Sequence, residues 1–149
     1  MNAKNCAYSI KTSRVKEPDF PYHGQELTCT REVVEFVKSL QSADIEKMIV
    51  LYLNAQNALI CIQVIPGSVA QAVVFPREVL RHALLVNASG MILVHNHPSG
   101  SLRPSDADIN LTRAIKDVSK TLDILLHDHF IIAGDTGRFF SFREEGMLY

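Results

Sequence analysis

The sequence predicts an α/β domain, one mixed β-sheet with helices packed against it. Three observations support this. Strand-length apolar runs recur along the chain, such as "KMIVLYL", "GMILVH" and "HFIIA". Between them lie segments whose apolar residues repeat every three to four positions, the helical period. Finally, 149 residues with 47% hydrophobic and 21% charged side chains are enough for one domain with a core of its own.

The elements follow in chain order. Residues 1–26 are polar and contain Pro18 and Pro21, which predicts an N-terminal extension ahead of a domain spanning 27–149. Thr30 is placed to cap a first helix, with Glu32 in its first turn and Val33, Phe36, Val37 and Leu40 on one face. The stretch "KMIVLYLNAQNALICIQVIPGS" predicts two strands around an Asn/Gln turn, and "VAQAVVF" predicts a third. Pro76 suits the first turn of a second helix, whose apolar stripe is Val79, Leu80, Ala83 and Leu84. "GMILVH" is apolar on both faces, as expected of a strand in the middle of a sheet. A third helix begins after Ser105, with Leu111, Ala114, Ile115, Val118 and Leu122 on its inner face. "ILLHDHFIIA" and "RFFSF" are late strands joined through "GDTG".

Charge and cysteine content exclude several functions. The net charge of −1 gives no whole-chain attraction for polyanions, so nucleic-acid binding is expected to be weak at most. Arg77, Arg81 and Arg103 are the strongest local basic candidates, and solvated surface charge explains them equally well. No apolar run is long enough for a membrane span, and no secretory signal is visible. Cys6, Cys29 and Cys61 are scattered without a CxxC pair, which fits a reducing, cytoplasmic setting, with Cys61 buried in its apolar run. The aromatic "RFFSF" segment predicts surface that needs covering, and hence a homodimer.

The chemistry concentrates in "LVHNHPSGSLRPSDADINLT", Leu93 to Thr112. If the strand stays extended, His95 and His97 project from one face, roughly 7 Å apart along the backbone. Asp108 is the third residue of the helix capped by Ser105 and points inward from its first turn. Two imidazoles and a carboxylate, with a position left for water, suit catalytic zinc. These residues equally suit a polar strand end followed by a capping box, so on local grounds both readings are open. His127 and His129 form a second HxH without an acid at matching spacing, which predicts roles in the core or behind the ligands. His23 and His82 are expected at the surface.

The whole spacing, His-x-His, ten residues, then Asp, with Ser three before the Asp, resembles the JAMM metalloprotease motif of JAB/MPN domains. With "FPREVLRHAL" before it and "DHFIIAG…FFSFREEGMLY" after it, the chain is similar to the bacterial RadC family (UPF0758), in a short form without room for a helix-hairpin-helix region. The resemblance implies a JAB/MPN, cytidine-deaminase-like architecture, zinc on His95, His97 and Asp108, and Ser105 stabilising an oxyanion. It further implies a glutamate that takes a proton from water during hydrolysis of a peptide or isopeptide bond in an unidentified substrate. Glu46, immediately before "KMIVLYL", is preferred over Glu78, whose place in a helix's first turn needs no catalysis to explain it. Two other classes stay open: a RadC-like DNA-repair accessory protein, and a catalytically silent JAB interaction module.

Overall fold

In the computed structural model, the described residues are 25–27, 29–38, 46–66, 74–133 and 137–148. The elements run α1 (Thr30–Lys38), β1 (Lys47–Leu53), β2 (Leu59–Pro66), α2 (Pro76–Leu85), β3 (Gly90–His97), α3 (Asp106–Thr121), β4 (Leu125–Ala133) and β5 (Arg138–Ser141). They form a five-stranded mixed sheet in the order β2-β1-β3-β4-β5. β3 and β4 are parallel and the other pairs antiparallel. A parallel pair needs a long crossover, and α3 supplies it. The α/β class read from the sequence is therefore the class observed.

β1 and β3 lie between other strands and are buried on both faces, which is why their sequences are continuous apolar runs rather than alternating ones. One face of the sheet presents Met48, Val50, Tyr52, Met91, Leu93 and Ile131 to α2 and α3. The other presents Ile49, Leu51, Ile92, Val94, Phe130 and Ile132 to α1 through Val33, Phe36 and Val37. The β1–β2 turn is held by Asn54, whose Oδ1 accepts the amides of Gln56 and Ala58, with Asn57 at φ 60°.

Several expectations need correction. Thr30 lies inside α1 rather than before it; the Cys29 carbonyl accepts the first helical amides, and the Thr30 hydroxyl donates to Glu144. Leu84 is 57% exposed. The buried stripe of α3 is Asp108, Thr112, Ile115 and Ser119, whereas Val118 and Leu122 face outward. The "RFFSF" segment does not form an aromatic surface, because Phe142 is fully buried and Phe139 and Phe140 are half-buried. His82 is half-buried, with Nδ1–H donating to the Glu78 carbonyl, and Cys61 is half-buried too. Most of the N-terminal extension, Cys6, His23, Leu40, most of the "VAQAVVF" strand and most of the "GDTG" turn lie outside the described residues. Among the described residues, no helix is long and apolar enough to cross a membrane.

Candidate metal centre

The site grows from the C-terminal end of β3. Met91 and Leu93 point to the α2/α3 face, so the period of two carries His95 and His97 to the same face, beyond the last apolar layer. Met48 of β1 pairs with His95, and Glu46, two residues before Met48, comes to the same side. Its Oε1 lies 2.5 Å from His95 Nε2. Asn96, between the two histidines, turns to the opposite face, where its Oδ1 accepts the Lys47 amide at 2.6 Å. That bond fixes the chain at the residue next to Glu46.

Past His97 the chain turns through Gly100, whose amide donates to the His97 carbonyl and whose φ of +77° suits glycine. The turn returns the Ser101 carbonyl to His97 Nδ1 at 2.8 Å. A carbonyl only accepts, so in the neutral ring Nδ1 carries the proton and the lone pair lies on Nε2. Nε2 faces Asp108 Oδ2 at 3.6 Å.

Asp108 enters from the first turn of α3. Ser105 caps the helix: its hydroxyl accepts the Asp108 amide, while the Ser105 amide and hydroxyl both donate to Asp108 Oδ2, at 2.7 and 2.6 Å. His95 Nδ1 is 3.0 Å from Asp108 Oδ1, yet too far out of line for a hydrogen bond, and it is buried without another partner. One ligand atom from each of His95, His97 and Asp108 falls within 4.8 Å of the others. A lone pair facing a carboxylate, an orphaned buried ring nitrogen and two carboxylates around the same imidazole form an environment that a divalent cation satisfies.

The sequence-derived candidates separate here. His95, His97, Asp108, Ser105 and Glu46 are brought together. Glu78 is instead engaged by Arg81 at 2.8 Å and lies 3.7 Å from Arg77, which also offsets positive charge on the α2 surface. His129 is fully buried, as its apolar strand suggested; its Nδ1 meets Thr112 Oγ1 at 2.6 Å. Thr112 and Asn96 were not singled out from the sequence. Their only signal was a polar residue at a position that the strand or helix period turns inward.

Charge coupling is strongest at Asp108. Burial pushes its carboxyl up, but the His95 and His97 rings and Ser105 outweigh burial and hold it well below the usual carboxylate range. The Asp108 carboxylate raises His97 against the opposing effect of burial. His129 is pushed down to about 3, chiefly by burial and then by His95, and burial also lowers His127.

In metal-free protein the raised His97 stabilises the fold fully below its unfolded value of 6.5, and this is lost as pH rises through the folded value. The depressed Asp108 stabilises above its unfolded value of 3.8 and loses this as pH falls. Neutral, buried His129 and His127 act in the opposite sense below 6.5, so a variant must isolate His97. The stability difference between metal-stripped wild type and His97→Gln is expected to shrink from about pH 6 to about pH 8.5. Thermal unfolding at both values checks this; a difference that grows with pH contradicts it.

Fold and site together define an α/β domain with a largely buried two-histidine, one-carboxylate cluster compatible with metal binding. More particularly, the chain belongs to the RadC-like JAB domain family, whose model matches residues 27–147. A UPF0758 protein of Chromobacterium violaceum is 41% identical over 127 residues, covering 84% of this chain and 56% of the relative. One from Histophilus somni is 39% identical over 145 residues, covering 96% of this chain and 63% of the relative. The UPF0758 protein YfjY of Escherichia coli is 38% identical over 127 residues, covering 84% and 78%. The chain thus spans 56–63% of the length of the first two relatives.

Proposed function

We propose that the protein is a zinc-dependent hydrolase of the JAMM type that cleaves a peptide or isopeptide bond. The observation carrying this reading is the convergence of His95, His97 and Asp108, with the Glu46 carboxylate against the same imidazole. In this reading those three residues hold the ion and leave a position for water. Zinc in such a site lowers the pKa of bound water from about 16 to roughly 7.

The remaining work falls to the chain. Glu46, with its side chain 48% exposed, reaches both the cluster and solvent. It accepts the proton of the attacking water and passes it to the leaving amine. The Ser101 carbonyl keeps the proton of His97 on Nδ1, so Nε2 stays available as a ligand. Ser105 has one hydroxyl proton, which Asp108 Oδ2 holds. To donate to a developing oxyanion, the hydroxyl must rotate from that oxygen; such a donor is typically worth about 3 kcal/mol.

A panel of peptide and isopeptide substrates tests the proposal. Cleavage is expected from protein holding zinc, to stop with a chelator and to return when zinc is restored. No turnover by zinc-loaded protein across the panel would favour the silent interaction module instead.

A further inference from the structure

His129 is the most deeply buried histidine among the described residues, and none of the chemistry above uses it. It sits on β4 diagonally behind His95, with ring centroids 6.3 Å apart and planes 22° from parallel. On the other side it stacks on Phe142 at 4.7 Å and 7°.

Its hydrogen bonding has one direction. Thr112 Oγ1 lies 2.6 Å from the Asp108 carbonyl and 2.6 Å from His129 Nδ1. The carbonyl can only accept, so the threonine hydroxyl donates to it and accepts from His129 Nδ1–H. Nε2 is then a bare lone pair, buried without a protein partner. Burying such an atom is costly, and a phenylalanine would stack on Phe142 without that cost. What the imidazole adds is the Nδ1–H that fixes Thr112.

Resting on the metal-centre reading above, we infer that His129 is a positioning residue for the metal ligands, acting on two of them at once. Through Thr112 it holds the helical turn that carries Asp108, and its ring backs the plane of His95. Thr112 and His129 form a single relay, because the His129 N–H reaches the Asp108 turn only through the Thr112 hydroxyl.

The test strips the full chain of metal and titrates it with cobalt(II), reading the visible absorption spectrum and chelator competition. Thr112→Val and His129→Phe keep shape but remove the hydroxyl or the N–H, and each should weaken cobalt binding by about 10–100-fold. The double variant should be no weaker than the worse single by more than about threefold, since both changes break one linkage. At saturating cobalt both single variants should show altered bands. Thr112→Ser keeps both the hydroxyl and the ring behind His95, and should recover the wild-type spectrum and an affinity within about threefold of it.

Single variants within about twofold of wild type, or losses that multiply in the double variant, would overturn the inference. Should His129→Phe fail to fold, the Thr112→Val and Thr112→Ser pair decides by the same criteria. Wild-type protein that binds no cobalt overturns the metal-centre reading and this inference with it. Wild-type binding with indistinguishable variants overturns the inference alone.

Discussion

Glu46→Gln is expected to keep its fold and its metal while losing more than about 100-fold in hydrolysis, the lower scale for removing a general base. The carboxylate contacts His95 from the residue just before β1 and is not one of the three clustered ligands. Glutamine fills the same space and can still bond to the imidazole, but it cannot accept the proton of water. Glu78→Gln removes only a helix-end carboxylate paired with Arg77 and Arg81, so it should cost about 0.3–1 kcal/mol of stability and leave turnover alone. Steady-state kinetics on a substrate from the panel, with metal content measured on the same samples, separates the two. Exchange of these behaviours would move the base to Glu78. Full activity in both would reject Glu-assisted water activation.

Asp108→Asn should be the most damaging conservative change to metal binding. The amide oxygen can still accept the Ser105 amide, so the capping box survives in part and α3 keeps its start. The charge is lost, along with the anion facing both imidazoles. Metal affinity should fall by more than about 100-fold, beyond the 10–100-fold typical of groups behind the ligands. Competition with a chelator of known affinity reads the change; an affinity within tenfold of wild type would remove Asp108 from the ligand set.

Much of this site was legible because it rests on short-range rules. The period of two placed His95 and His97 on one face, and the Ser105 cap fixed Asp108 three residues into a helix. α3 was read less well, and for a physical reason. Its inward positions are polar at Asp108, Thr112 and Ser119, and each is satisfied inside the fold; Ser119 donates to the Lys116 carbonyl. Apolar periodicity carries no sign of such residues and instead turns Val118 and Leu122 inward. His127 and His129 also looked like an equivalent pair. The β3–β4 register shifts between Met91 and Ile92, leaving His127 as the extra residue of a bulge, while His129 pairs with Leu93 and enters the core. Which glutamate joins the site depends on a contact between residues 46 and 95, a long-range pairing that only the sheet order provides.

The central claim is that His95, His97 and Asp108 hold one divalent metal ion. Elemental analysis of purified wild type beside His97→Ala tests it most directly. Both proteins should show the same far-ultraviolet circular dichroism. About one zinc per chain is expected in wild type, and under a tenth of that in the variant. Equal zinc in the two proteins, or none in wild type after expression in zinc-supplemented medium, would contradict the account.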